Sequence, residues 1–392
     1  MKILHITPSY IPAYSHGGPV VSVHTLNKWL VKLGVDVTVY TTNVDGDKKL
    51  GVPLHKEVDI DGVKIFYFPL TFRAWEYSRA MHCALAEHIK NFDAVHITSV
   101  FLSVSLLGAY YAKKYKKPFI ISPRGNFMKQ TYGSKSLKKE VYTHLIETFA
   151  LKSASAVHFT SEVEKRDYIE TKLPSKKTIV IPNPFEDENP DPVRSNLFCS
   201  KWGIKEDTEI VLFVGRLNWV KGFDTLIPAF AEVLKERPNA VLVIAGPDEA
   251  GYGAKIKSQI SNLKINEKVI FTGLISGKEK EAALRESNIF VLSSFSESFS
   301  MATVEAMAAG LPVVITKGVA ISEEIKNADV GVVIEKDQKL LAEAIIGLLE
   351  NKSEAKKMGE RGKEFVRNNF SAESVARRFI EEYNKIIHSH HA

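Results

Sequence analysis

Ser296-Glu297-Ser298-Phe299-Ser300-Met301-Ala302-Thr303-Val304-Glu305-Ala306-Met307-Ala308-Ala309-Gly310-Leu311-Pro312-Val313-Val314 is the stretch on which the fold turns. An apolar run at 289–293 leads into it and reads as a strand. Ser298 or Ser300 can cap a helix over 300–309, Gly310 stops it, and Pro312 opens an apolar strand at 312–315. Strand, loop, helix, strand is one crossover unit of a parallel sheet.

The same order repeats outward. Further strands are expected at 209–215, 241–245, 268–272 and 330–334, with helices at 254–263, 277–286 and 338–350. Asp224 can cap a helix whose Leu226, Ile227, Phe230, Val233 and Leu234 share a face. Towards the N-terminus, Ile3–Ile6 and Val35–Thr41 read as strands around a helix that Pro19 begins and Gly34 ends. Strands at 63–68, 94–98, 118–122, 156–160 and 178–181 follow, with helices at 74–91, 103–115 and 136–152. Residues 182–192 hold four prolines and four acids and have the composition of an exposed linker. The fold class is therefore α/β, with two doubly wound Rossmann-like domains at 1–185 and 186–371. A last helix over 372–392, with Val375, Phe379, Ile380, Tyr383 and Ile387 on one face, is left to pack on the first.

Composition narrows the function. Of 392 residues, 45% are hydrophobic and 25% charged, the balance of a globular protein. Two cysteines, Cys83 and Cys199, exclude a disulfide framework and suit a reducing compartment. No apolar run nears the roughly 18 residues of a membrane span, and the start lacks the pattern of a signal peptide. The expected location is cytoplasmic, with peripheral contact at the inner face of the membrane. Net charge is +6, unevenly spread. Residues 1–185 carry 25 Lys/Arg against 15 Asp/Glu, a net of +10, and the remainder carries 27 against 31, a net of −4. Lys113–Lys139 has nine basic residues and no acid, which suits an anionic acceptor or an anionic membrane surface. It lacks interleaved aromatic motifs, so nucleic acid is not expected as a partner.

Ligands of open α/β sheets sit beyond the carboxyl ends of the strands, and three such loops carry chemistry. Gly17 and Gly18, before a helix start, let backbone N–H groups approach an anion. Gly-x-Gly-x-x-Gly is absent, which weighs against a nicotinamide or flavin dinucleotide. Gly215-Arg216-Leu217-Asn218-Trp219-Val220-Lys221-Gly222 sets a guanidinium fork and an ammonium five residues apart, and both can meet a diphosphate. Glu297 and Glu305, eight apart about a helix start, can accept hydrogen bonds from hydroxyl pairs such as those of a sugar and a ribose.

These strings resemble glycosyltransferase family 4, the retaining, nucleotide-sugar-dependent enzymes of GT-B fold, in which two Rossmann-like domains face each other across a cleft. The resemblance spans nearly the whole chain and includes Thr160-Ser161-Glu162, Ile181-Pro182-Asn183 and Thr272-Gly273 as well as the three loops. It implies that Arg216 and Lys221 neutralise the donor diphosphate. It implies that Glu297 holds the donor sugar, with Ser298, Phe299 and Ser300 supplying N–H groups. Glu305 would bind the ribose, Thr272, Gly273 and Leu274 would lie at the base, and Gly17 and Gly18 would close on the phosphates. The family's usual Glu-Gly-Phe-Gly is Glu297-Ser298-Phe299-Ser300 here, which narrows the pocket. The usual histidine positions read His96-Ile97-Thr98 and Ser122-Pro123-Arg124, so His96 and Arg124 are the acceptor-side candidates. No cofactor or metal is assigned, on the expectation that the chain has no Asp-x-Asp string. The implied donor is UDP-glucose first and GDP-mannose second. The implied acceptor is a glycan or lipid-linked glycan in surface polysaccharide biosynthesis. A GT-B nucleotide-sugar 2-epimerase is the alternative within the fold, and a basic membrane- or nucleic-acid-binding protein is the alternative outside it.

Overall fold

The computed structural model of the chain describes residues 1–129, 147–186 and 196–391. They form two units, one of residues 1–186 with 370–392 and one of residues 187–369.

In the first unit the strands are β1 (Lys2–Ile6), β2 (Asp36–Thr42), β3 (Val44–Asp45), β4 (Lys48–Lys49), β5 (Glu57–Ile60), β6 (Val63–Phe68), β7 (Ala94–Thr98), β8 (Phe119–Ser122), β9 (Ala156–Phe159) and β10 (Thr178–Val180). Eight of them make one sheet in the order β10-β9-β8-β7-β1-β2-β6-β5, and β3 pairs with β4 apart from it. Every pair in the large sheet is parallel except β5 with β6. Successive side chains of a strand point to opposite faces. Ile3 accordingly joins Val37, Val39 and Ala94 in one core, while Leu4 and Ile6 join Val95 and Ile97 in the other. Apolar residues on both faces are what a parallel sheet covered by helices on each side requires. The chain order reverses at β1, between β2 and β7.

The helix Ala372–His391 lays Val375, Ala376, Phe379, Tyr383 and Ile386 into the same core as Val20, Val23, Leu26 and Leu30 of the helix Gly18–Lys32. Ile380 and Ile387 are only partly buried, so the apolar face is centred a few residues round from the expected one. Both chain crossings out of this unit lie side by side: Phe185 N–H donates to the Phe370 carbonyl and Ala372 N–H to the Phe185 carbonyl. Glu186 next to them is clamped by Lys28 and Lys32.

The second unit holds β11 (Glu209–Val214), β12 (Ala240–Ala245), β13 (Val269–Gly273), β14 (Ile289–Leu292), β15 (Val313–Thr316) and β16 (Val332–Ile334). All are parallel in the order β13-β12-β11-β14-β15-β16, reversing between β11 and β14. Each unit is a doubly wound, Rossmann-like α/β domain.

Some elements differ from expectation. The single helix expected over 74–91 is broken. A turn at Ala74–Glu76 contains Trp75 at φ 64°, Tyr77 is extended, and Ser78 caps a helix Arg79–His88 by accepting from Met81 N–H. Periodicity ran through the break because Trp75 and Tyr77 are apolar either way. β5 was not anticipated, although Asp61-Gly62, both at positive φ, form the two-residue turn that a tight hairpin with β6 needs. The helix Lys352–Phe370 was likewise not anticipated. The helix expected at 136–152 is described only over Thr148–Ser153, and the basic run Lys113–Lys139 leaves the described residues after Lys129.

Candidate active site

The loop after β11 is fixed from below. Gly222 has φ 72°, and a Cβ there would run into the Ser293 carbonyl at the end of β14. Ser293 Oγ donates to the carbonyls of Lys221 (3.1 Å) and Gly222 (2.9 Å), and Phe295 N–H donates to the Val220 carbonyl (2.8 Å). The loop after β14 is in turn stitched to the one after β15, because Glu297 N–H donates to Gly318 and Ala320 N–H donates to Glu297. This places the Lys221 ammonium on Glu297 Oε1 as an ion pair, with side chains only 15% and 18% exposed.

Arg216 is turned elsewhere. Its Nη1 donates to Glu249 Oε1 (2.9 Å), and Asn218 Nδ2 donates to Glu249 Oε2 (2.6 Å). The two predicted cations thus rest on different carboxylates, and the sequence reading missed Glu249. The two side chains are 49% and 42% exposed, so the pair holds by at most about 1 kcal/mol, weak enough for a competing anion to displace.

Ser300 precedes the helix Met301–Ala308 in a left-handed conformation, φ 72°, and its Oγ accepts from Thr303 N–H (3.3 Å). Phe299 is buried beside it. The first N–H groups of such a helix lack intrahelical partners, and they point to where an anion can bind. Further along, Glu305 Oε2 pairs with Lys280 Nζ (2.6 Å). Lys280 belongs to the helix Gly277–Glu286, and the sequence reading did not single it out.

Gly215, Gly246 and Gly273 bring three strand ends close. Gly246 N–H donates to the Gly273 carbonyl (2.8 Å), and a Cβ on Gly246 would strike the Gly215 carbonyl. A cavity of about 430 Å³ opens there, lined by Leu217, Pro247, Lys257, Phe271 and Gly273 among others. Thr272 spends its hydroxyl on the Gly273 carbonyl, and Leu274 is 74% exposed. In the first unit Gly17, at φ 73°, precedes the helix Gly18–Lys32, and its N–H donates to the Tyr14 carbonyl.

His96 does not face a ligand. It is wholly buried, with Nδ1 on the Tyr383 hydroxyl (2.6 Å) and Nε2 on Ser122 Oγ (2.7 Å). The proton positions follow from the end of the chain of bonds. The Ile181 carbonyl can only accept, so His158 donates to it through Nε2 (2.7 Å) and accepts from Ser122 at Nδ1 (2.7 Å). Ser122 then accepts from His96 Nε2, and Tyr383 donates to His96 Nδ1. His5 stacks on His96 with ring centroids 4.3 Å apart, donates to Asn27 (2.9 Å) and accepts from Thr98 (2.8 Å). Burial lowers His5 to about 4 and His158 to about 3, and it holds His96 well below the usual imidazole range. All three are neutral, as this network demands. Arg124, at φ 55°, donates to Asn183 Oδ1, and its Nε is enclosed without a partner. Burial lowers it to about 10. Both acceptor-side candidates are thus engaged inside the first unit.

Asp-x-Asp does occur, at Asp45-Gly46-Asp47 and Asp59-Ile60-Asp61, which corrects the expectation that the chain lacks it. Asp45 bonds Ser15, Asp47 pairs with Arg73, and Asp61 pairs with His24. Among the described residues no group of three or more His, Cys, Asp or Glu is placed to hold a metal, and no helix is long and apolar enough to cross a membrane.

Two family models match, one on each half. The model of glycosyltransferase family 4 covers residues 16–189, and that of glycosyl transferases group 1 covers residues 197–365. The α-monoglucosyldiacylglycerol synthase of Streptococcus pneumoniae is 29% identical over 324 residues, 80% of this chain and 70% of that protein. The structure of Anabaena HepE in complex with UDP and glucose superposes with a TM-score of 0.78 at 18% identity, over 98% of this chain and 100% of that one. The sucrose-phosphate synthase of Thermosynechococcus elongatus gives 0.78 at 21% identity, over 99% and 100%. With a family model on each half and this fold, the chain belongs to the group 1, family 4 glycosyltransferases of GT-B fold.

Proposed function

We propose that the protein is a retaining, metal-independent hexosyltransferase. It moves a hexose from a nucleoside diphosphate sugar, UDP-glucose first and GDP-mannose second, to a hydroxyl of a glycan or lipid-linked glycan in surface polysaccharide assembly. The pairing of Lys221 with Glu297 carries the reading, because it sets a cation for the diphosphate against a carboxylate for the sugar hydroxyls. The complex of HepE with UDP and glucose supports the choice of donor.

As C1 of the hexose parts from the β-phosphate oxygen, negative charge builds on that oxygen. Lys221, Arg216 and the N–H groups of Ser298, Phe299 and Ser300 are suited to stabilise it. The acceptor oxygen bonds to C1 on the face the phosphate leaves, and its proton passes to the departing phosphate oxygen. Glu297 orients the sugar, Glu305 holds the ribose, and the cavity beside Gly273 and Phe271 receives the base. No cofactor is assigned.

The acceptor falls to the first unit, where Tyr14, Phe72 and Trp75 are exposed on loops that follow β1 and β6. Lys113, Lys114, Lys116 and Lys117, at the end of the helix Ser103–Lys114, suit peripheral contact with an anionic membrane from the cytoplasmic side. The pneumococcal relative is named for a glycolipid product, which favours an acceptor at such a surface.

A thermal-shift screen over nucleotide sugars identifies the donor. Slow hydrolysis of that donor by the enzyme, followed by proton NMR, then reads the stereochemistry without an acceptor. The α-hexose appearing first, at the same rate in EDTA, is the expected result for an α-linked donor. The β-anomer first, or loss of hydrolysis in EDTA, overturns the mechanism.

A further inference from the structure

We infer that Lys280 is a ribose-recognition residue, whose ammonium positions Glu305 and itself donates to a hydroxyl of the donor's ribose. This deepens the reading above and rests on it, since it takes Glu305 as the ribose carboxylate.

Three observations converge on Lys280. Its Nζ lies 2.6 Å from Glu305 Oε2, and the two side chains are 29% and 24% exposed, which makes this a partly desolvated pair and not a solvated one. Its place in the fold has a local cost. Lys280 is the fourth residue of the helix Gly277–Glu286, at the end where the helix dipole is positive and a cation is disfavoured. Glu305 offsets that cost from another element, so the pair is explained by what the two helices share and not by either alone. Finally, that helix begins four residues after Gly273, whose loop borders the proposed base cavity, while Glu305 lies one turn into the helix Met301–Ala308. Lys280 thus stands on the helix that follows the loop given to the base, and it pairs with the carboxylate given to the ribose.

The chemistry follows from the atoms left over. Lys280 occupies Oε2, and among the described residues no other side chain pairs with Glu305. Oε1 therefore remains to accept from a ribose hydroxyl. The ammonium has three N–H donors and uses one on Glu305. A secondary hydroxyl that donates to Oε1 can accept from the ammonium through its own oxygen. Carboxylate and ammonium together thus read both halves of the hydroxyl, and a deoxyribose forfeits both. Removing Lys280 also leaves a carboxylate without its counter-charge in a pocket that must take a diphosphate.

The experiment is calorimetric titration of wild type, K280M, K280R and E305Q with UDP and 2′-deoxy-UDP, and with the guanosine pair if the enzyme binds GDP. Wild type is expected to prefer the ribonucleotide by about 10- to 100-fold, the worth of hydrogen bonds to charged groups. In K280M this preference should fall to within about threefold, and K280R should restore part of it. Donor KM should rise with kcat nearly unchanged, the mark of lost ground-state binding. A K280M protein that keeps the full preference while E305Q loses it overturns the inference and leaves the functional reading standing. If E305Q also keeps the preference, the ribose does not lie on Glu305, and the inference falls together with the ribose role given to Glu305.

Discussion

The Tyr383 hydroxyl donates to Nδ1 of His96 across 2.6 Å, between residues 287 apart in sequence. This bond fastens the helix Ala372–His391 to the middle of the first unit's sheet. Tyr383→Phe would leave His96 Nδ1 as a buried acceptor without a donor. The expected cost is about 1–3 kcal/mol in the first unit's unfolding, read by urea titration. Donor affinity should be unchanged, because every bond of this network lies within the first unit and the proposed donor loops belong to the second. An unaltered urea midpoint would show that the bond contributes nothing.

The same network predicts a pH dependence. His5 sits near 4 and His158 near 3 in the folded protein, and His96 is also lowered, against an ordinary value of about 6.5 when unfolded. Below about 6.5 the unfolded chain binds protons that the native state refuses. Stability is therefore full above that pH and is lost as the pH falls, by up to about 1.4 kcal/mol per unit for each histidine. Glu164, raised by burial, works in the opposite sense, one carboxyl against three imidazoles. Urea midpoints at pH 7.5, 6.5 and 5.5 check the slope, and a flat profile contradicts it.

Lys221→Ala and Arg216→Ala should each depress turnover by about two orders of magnitude or more, as loss of a donor to developing charge does. Their effects on stability should differ. Lys221→Ala strands the partly buried Glu297, whereas Arg216→Ala frees an exposed Glu249 at almost no cost. Melting curves beside steady-state rates separate the two. Full turnover in both variants would remove these residues from the chemistry.

Ser300 combines a left-handed backbone with a capping side chain. Ser300→Ala keeps the strain and loses the cap, for an expected loss of about 1 kcal/mol. Ser300→Gly relieves the strain and costs only a few tenths as a cap, so it should be neutral or stabilising by up to about 1 kcal/mol. Guanidinium unfolding of the pair tests the contrast. Equal losses in both would mean that φ 72° costs Ser300 nothing.

Much of the fold was legible because it is local. The strand that ends at Val214, the glycine at 222 and the stop at Gly310 are written as apolar runs and turn residues, which act over a few positions. Asp61-Gly62 is equally local, a two-residue turn written in the residue types that tolerate positive φ. The break after Trp75 was not legible, because a left-handed residue inside an apolar run leaves the periodicity intact.

The sequence by itself determined which residues stand at the carboxyl ends of strands, and so that Arg216, Lys221, Glu297 and Glu305 lie on loops and helix starts able to serve a diphosphate sugar. Only the tertiary structure decided what each of them touches. Lys221 meets Glu297 because β11 and β14 are neighbours, and Arg216 meets Glu249 because β12 lies on the other side of β11. His96 reads as a strand-end histidine in either case. It is sealed because a helix almost three hundred residues away in sequence packs on it. Strand order and helix docking are set by how buried faces fit across long separations, and no local pattern in the chain encodes them.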